Sequence, residues 1–323
     1  MSQSKEAGAM ATDREMMGTV DIEQERKQRK TIFMANMGLL FVALFWGGGF
    51  VACKFALEGL DPFNLMMYRY GGAAIVTGLF CVKRFKKISR RLLLYSAVIG
   101  ALMFLGNTLQ TIGLQYTTPG KQSFIISLYT VIVPLLSWAI LRIKPSKKII
   151  AAAVIALVGI SLLTLKDDFT VGFGDFLTFL FAITFSLQVI FIGIFVKNAD
   201  AMLFTFLQIG FAAVFSILTV VFFGTPQNIF AAGIESGPLM ALIYLITFNT
   251  SFAFMLQNIC QRYSPPNYTA IILSSETVFG TVFAITLAGE VFRGRMILGC
   301  ILMFAAIIIA EFPSRKKEER LKD

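Results

Sequence analysis

The chain has 323 residues, of which 56% are hydrophobic and only 15% charged, with a net charge of +10, four cysteines and no histidine. A mean hydropathy of +0.74 is more apolar surface than a soluble domain can hide, so the sequence is that of an integral membrane protein. The lack of histidine excludes a His-ligated metal site and a histidine general base, and no cofactor is expected.

Residues 1–31 are polar and charged, too long and too acidic for the front of a signal peptide, and are expected to form a disordered cytoplasmic tail. From Thr31 to Phe312, apolar blocks of about 20 residues recur, the length of a membrane-spanning helix. They lie near 32–53, 63–82, 92–114, 120–141, 149–165, 174–196, 201–223, 239–260, 267–289 and 294–312. The blocks lack the alternation of a transmembrane barrel, whose strands need only about 10 residues. A basic tail, 313–323, closes the chain.

The first block carries Trp46-Gly-Gly-Gly-Phe50, where the glycines either let a neighbour pack closely or let the helix bend as a gate. Asp61-Pro62 is read as an N-cap with proline in the first turn, and Asp200 as the cap of the seventh span. Arg69, about two turns into the second span, is read as a structural charge. In the third span Met103, Gly106, Asn107, Gln110 and Leu114 share one helical face, as Asn249, Ala253 and Gln257 do in the eighth; in the sixth, Gln188 lies with Phe181 and Phe185. Amides are costly in hydrocarbon, so these faces should point inward, towards a cavity or towards one another. The fifth and tenth spans are almost without polar side chains and should pack outside the cavity or form a homodimer contact. Cys53, Cys81, Cys260 and Cys300 stand singly, outside zinc or redox spacings, and are read as packing residues.

Two stretches share one design. Tyr116-Thr-Thr-Pro-Gly-Lys-Gln-Ser-Phe-Ile-Ile-Ser-Leu-Tyr129-Thr130 reappears 147 residues later as Tyr263-Ser-Pro-Pro-Asn-Tyr-Thr-Ala-Ile-Ile-Leu-Ser-Ser-Glu276-Thr277. At that shift Gln110 falls on Gln257, Ser127 on Ser274 and Thr130 on Thr277; at a shift of 139, Trp46 falls on Phe185 and Asp61 on Asp200. The difference places an eight-residue insertion between the seventh and eighth spans. An odd number of spans per half requires the second half to be inverted. The expected fold is therefore all-α, ten transmembrane helices as two inverted five-helix repeats, 32–166 and 172–312. Basic clusters before the first span and after the second, fourth and last all fall on one side of such a protein, which puts both termini in the cytoplasm of a cell with this chain in its plasma or inner membrane.

Trp46-Gly47, Tyr68-Arg69-Tyr70, Tyr116-Thr-Thr, Pro134, Gly174-Asp175, Glu276 and Glu290 with Gly299 together resemble the EamA-type family of the drug/metabolite transporter superfamily. Thr277 stands where that family usually has proline, so the kink of the ninth span is in question. In the first half Lys144 and Ala153 replace the family's acid and glycine. The resemblance implies a secondary carrier that exports amino acids or other metabolites.

Glu276 is the most informative charge, because a carboxylate at mid-helix costs about 2.5–3.5 kcal/mol on insertion scales. It is read as lining a cavity, binding a substrate amine or exchanging a proton, with a helix tie, to backbone or to Arg69, as the alternative. The expected cavity is lined by Trp46, Asn107, Gln110, Tyr129, Phe185, Gln188, Asn249, Gln257 and Glu276. With aromatic surfaces, amides and one acid, it suits a small zwitterion or an amphipathic cation better than a phosphate dianion. The expected partners are that substrate and the lipid bilayer, not nucleic acid, since the positive charge is spread over membrane-flanking loops. A secondary transporter is the first reading; a polyspecific amphipath exporter and a non-transporting structural or sensory membrane protein are the alternatives. An enzyme is disfavoured: the chain has no histidine and its spans hold no pair of aspartates, as proteolysis by zinc or by paired aspartates would need.

Overall fold

A computed structural model describes residues 2–117, 119–164, 172–229, 236–288 and 294–311, with the side chains of the first two dozen residues and of a few helix ends left aside. The described residues form helices and short connections. These are α1 (Ser2–Ala56), α2 (Pro62–Cys81), α3 (Arg90–Leu114), α4 (Pro119–Ser127), α5 (Tyr129–Leu141), α6 (Lys147–Thr164) and α7 (Phe173–Phe195) in the first part of the chain. They continue with α8 (Ala201–Phe223), α9 (Ser236–Tyr244), a π-helical stretch Leu245–Phe252, α10 (Ala253–Gln261), α11 (Pro266–Leu273), α12 (Glu276–Ala288) and α13 (Arg295–Glu311).

Joined end to end, α4 with α5, α9 with α10, and α11 with α12 make single spans, and a helix stands at each of the ten expected positions. Eight of these are long and apolar enough to cross a membrane, and Arg295–Ala310 is a shorter apolar helix. It packs along α6, where a side chain on Gly159 would meet the Gly299 carbonyl at 2.9 Å. The small-residue face of the fifth span is thus occupied by the tenth within the chain.

Local chemistry sets the ends. Asp61 accepts hydrogen bonds from the Phe63 and Asn64 amides, and Asp200 from those of Met202 and Leu203, so both read as N-caps in sequence and act as such. Arg142, at φ 56°, ends α5 in the left-handed conformation. The Asp200 carboxyl also pairs with Arg84 at 2.6 Å, tying the end of the second span to the start of the seventh. The polar connection after α8 folds back on α2: Gln227 Oε1 accepts from the Asp61 amide, and the Asn64 amide group donates to the Thr225 carbonyl.

α1 runs without interruption from Ser2. The residues before its membrane span include alanines, glutamates, lysines and methionines, which favour helix, and a helix propagating from a span escapes the cost of nucleation. One expectation changes. The ninth span, despite Thr277, is broken between α11 and α12. Ser274 and Ser275 each donate their hydroxyl to the carbonyl three residues back, Ile271 and Ile272, at 2.7 Å. Tight turns from Thr277 N to Ser274 O and from Val278 N to Ser275 O complete the break. Serines competing for the backbone do here what proline does elsewhere.

Candidate functional site

The two broken spans meet at the centre. Ser127, the last residue of α4, and Thr277, in the first turn of α12, hold their hydroxyls 2.6 Å apart in a fully buried contact. Ser127 donates to the Ser123 carbonyl, so Thr277 is the donor across the break. Immediately beside this contact stand Tyr129, which begins α5, and Glu276, which begins α12, the two residues that correspond in the repeat.

Around this centre lies a cavity of about 580 Å³ of atom-free space, its mouth included, lined by Trp46, Gly49, Phe50, Cys53, Arg69, Asn107, Gln110, Leu114, Gln122, Ile126, Phe181, Phe185, Asn249, Phe254 and Glu276. Its walls run from the helix breaks towards the face holding the C-terminus of α3, at Leu114, and the first turns of α4, at Gln122.

Of the predicted lining residues, Trp46, Asn107, Gln110, Phe185, Asn249 and Glu276 come together on these walls. Tyr129, Gln188 and Gln257 do not reach it. Tyr129 is wholly buried, with its ring edge-on to Phe185 at 4.9 Å between centroids. Its hydroxyl lies beside the Glu276 carboxyl without meeting it in hydrogen-bond geometry. Gln188 and Gln257 are sealed in the bundle: Gln257 donates to Gln261 Oε1 at 3.2 Å, and Gln261 donates to the Val189 carbonyl at 2.5 Å. Helical periodicity placed all three on inward faces, which they occupy, but it does not say how far along the bundle the open space extends.

Glu276 is 5% exposed and lines the cavity. Its position in the first turn of α12 places the carboxyl at the positive end of the helix dipole. Among the described residues the ion pairs run from Arg84 and Lys87 to Asp200, not to Glu276. The tie between Glu276 and Arg69 considered from sequence is therefore not formed. Glu276 is fixed by its backbone: a side chain on Gly47 would stand 2.8 Å from the Glu276 carbonyl and 2.6 Å from Phe279 Cβ. Gly48 faces the Tyr244 hydroxyl in the same way, and Gly49 the Asn249 amide, at 2.4 and 2.1 Å. Trp-Gly-Gly-Gly is thus a close-packing surface on a helix that runs uninterrupted through it.

Asn249 occupies the π-helical stretch, whose wider turn is marked by Ser251 Oγ bonding the Ile246 carbonyl five residues back. Its amide nitrogen donates to the Phe45 carbonyl at 2.9 Å, its backbone carbonyl accepts from Trp46 Nε1 at 3.1 Å, and its side-chain oxygen accepts from Arg69 Nη2 at 2.7 Å. Arg69 Nε donates to Thr250 Oγ1 at 2.7 Å. Arg69, read from sequence as a structural charge, makes these ties between helices and also lines the cavity, at 5% exposed. Gln122 and Cys53 also line it unforeseen; no spacing in the sequence singled them out. Among the described residues no group of three or more His, Cys, Asp or Glu side chains gathers to hold a metal.

A bundle of membrane-spanning helices that encloses a polar cavity at the meeting of two broken helices is the architecture of a multi-pass membrane transport protein. The sequence pattern of the EamA-like transporter family matches residues 33–165 and again 172–312, and the chain belongs to that family, within the drug/metabolite transporter superfamily. It is 30% identical over 275 residues to an uncharacterized transporter of Archaeoglobus fulgidus, covering 85% of each chain. It is 27% identical over 181 residues to the uncharacterized transporter YrdR of Bacillus subtilis, covering 50% of this chain and 51% of that one. A solved structure described only as "Crystal structure of protein" superposes with a TM-score of 0.71 at 17% identity over 88% of this chain and 99% of its own, which shows a shared fold.

Proposed function

We propose that this protein is a secondary transporter that moves amino acids or similar small zwitterionic metabolites out of the cell by alternating access, with Glu276 in the cavity and both termini in the cytoplasm. One observation carries the reading. Positions that are equivalent in the two repeats are in different states: Gln110 lines the cavity, whereas its counterpart Gln257 is fully buried. Leu114 lines it too, at 8% exposed, against Gln261 at 1%; Gln122 and Ile126 belong to the wall although buried, at 0% and 2%, while their counterparts Thr269 and Leu273 line no part of it. An inverted repeat that exchanges these two states opens the path on the opposite face, because the sequence-encoded path on that side already exists in closed form. Sealed amides support it further: Gln188 Nε2, Gln257 Oε1 and both polar atoms of Gln208 have no hydrogen-bond partner, a cost that hydration in the opposite state removes.

The orientation follows from the basic clusters Lys83 to Arg91, Arg142 to Lys148 and the C-terminal tail, which belong on the cytoplasmic side. The cavity then extends towards the outside. A second reading, export of amphipathic drugs, draws on the aromatic walls, Trp46, Phe50, Phe181, Phe185 and Phe254.

The test is flux in proteoliposomes. Labelled amino acids, aromatic amines and sugars are presented with and without an imposed pH gradient, for wild type and Glu276→Gln. Amino-acid flux that follows the gradient and falls at least about tenfold in the variant, with expression and thermal stability retained, supports the proposal; a tenfold loss corresponds to about 1.4 kcal/mol. Flux of amphipathic amines alone selects the second reading, and an unimpaired variant removes Glu276 from the mechanism.

A further inference from the structure

Arg69 has a charge with no counter-charge. The two acceptors that hold it, Thr250 Oγ1 and Asn249 Oδ1, are neutral, and its guanidinium also lies 5.7 Å from the neighbouring Tyr70 ring and close to the Cys53 thiol. The ion pairs of the described residues lie elsewhere, between Arg84 or Lys87 and Asp200. A guanidinium that is 95% buried and unpaired costs several kcal/mol of desolvation, which two neutral hydrogen bonds offset only in part. Those two bonds employ Nε and Nη2, leaving Nη1 without a hydrogen bond to the protein.

The same cavity holds Glu276, also unpaired, from the other repeat. A guanidinium and a carboxyl from the two repeats line one cavity and do not meet. The rest of the lining includes Asn107, Gln110 and Gln122 as neutral polar groups, and Trp46, Phe185 and Phe254 as apolar surface. In a low dielectric an arginine keeps its charge and is best satisfied by an anionic ligand group, and a carboxyl that ionises there is stabilised by a cationic one.

We infer that Arg69 and Glu276 are the two poles of a zwitterion-binding site, with Arg69 taking the substrate carboxylate and Glu276 its ammonium. This rests on the carrier reading above and names its substrate class: an amino acid with free carboxyl and amino groups, its side chain against the aromatic wall. A single guanidinium suits a monoanion, since a phosphate dianion would retain an unpaired charge, and the planar fork of arginine matches the two carboxylate oxygens. Asn249 is then a positioning residue, holding the guanidinium through Nη2 while it is itself anchored to Phe45. The helix break at Ser274–Ser275 brings Glu276 to a helix N-terminus, so that binding or releasing the ammonium changes the charge at the element that joins the repeats.

The experiment measures binding to the purified full-length protein in detergent, with the standard amino acids as probes. Each one that binds is compared with its decarboxylated amine and its deaminated acid. The expected result is that the wild type binds the zwitterion about 10- to 100-fold more tightly than either analogue, the range set by loss of a charged hydrogen-bonded contact. In Arg69→Met the preference over the amine should vanish while the preference over the acid persists, and in Glu276→Gln the reverse. Arg69→Lys, which keeps the charge without the fork, should restore part of the preference and shows that loss in the methionine variant is not misfolding; size-exclusion behaviour and thermal unfolding are recorded for each. Binding of the amine alone, with discrimination unchanged in both variants, overturns the two-pole site while leaving a carrier of cations. Failure of every probe to bind, together with no flux in proteoliposomes, overturns the site and the carrier reading together.

Discussion

The bond between Ser127 and Thr277 has a counterpart that is not made. The repeat pairs Ser127 with Ser274 and Thr277 with Thr130, so a structure with exact two-fold symmetry would also join Thr130 to Ser274. Instead the Thr130 hydroxyl is buried without a partner, and Ser274 bonds only the Ile271 carbonyl. Thr277→Val removes the made bond while preserving side-chain shape, and the Ser127 hydroxyl keeps its bond to Ser123. A neutral hydrogen bond contributes about 0.5–1.5 kcal/mol net, so the ratio of this state to its opposite should fall about two- to twelvefold. Thr130→Val removes a hydroxyl that is unsatisfied here and bonded in the opposite state, and so should shift the ratio the other way by a similar factor. The assay is thiol labelling in a background without the native cysteines, with the probe cysteine at Gln257 reporting the sealed path and one at Gln110 the open path. Thr277→Val should speed labelling at 257 and Thr130→Val should slow it. If both substitutions move the rate in one direction, or if neither does, the two hydroxyl pairs do not bias an exchange between repeats.

Other consequences are simpler to read. Gly49→Ala places a Cβ 2.1 Å from Asn249 Nδ2, forcing the amide from Phe45 and loosening Arg69; overpacking of this kind costs about 1–3 kcal/mol and should lower the thermal midpoint and abolish amino-acid binding. Gly71→Ala meets nothing within 4 Å and should be neutral or stabilising by up to about 1 kcal/mol, since alanine favours helix. At the membrane face, burial pushes the Asp200 carboxyl up, but the bond from Arg84, the Leu203 amide and the charges of Arg84 and Lys87 outweigh it and hold the carboxyl below its usual range. A depressed carboxyl contributes stability above its unfolded value and loses it as pH falls through the folded one. Asp200→Asn should therefore cost up to about 1 kcal/mol at neutral pH, as an exposed ion pair does, and the gap in thermal midpoint should close on acidification. A gap that stays constant with pH would assign Asp200 to capping alone.

What was legible in the sequence follows from symmetry and from bulk energetics. The cost of exposing backbone in hydrocarbon makes apolar length a direct report of span positions, and the caps Asp61 and Asp200 declare themselves because their chemistry is local. The internal repeat is equally visible, yet it treats Gln110 and Gln257 as equals, and a single conformation cannot. Only one of them lines the cavity, as the proposed carrier mechanism requires, since two like halves present a path to one side only by breaking their symmetry. The place of Arg69 on the cavity wall is hidden for a different reason: its acceptors come from a π-helical stretch 180 residues away, and neither the irregular turn nor the contact leaves a mark in hydrophobic periodicity. The break before Glu276 was hidden behind an expectation of proline, whereas two adjacent serines achieve it by turning their hydroxyls onto the backbone. These are the places where side chains compete with regular structure, and both lie on the cavity wall. The helices report the solvent that selected them, lipid; the departures from regularity report the polar ligand that the interior must accommodate.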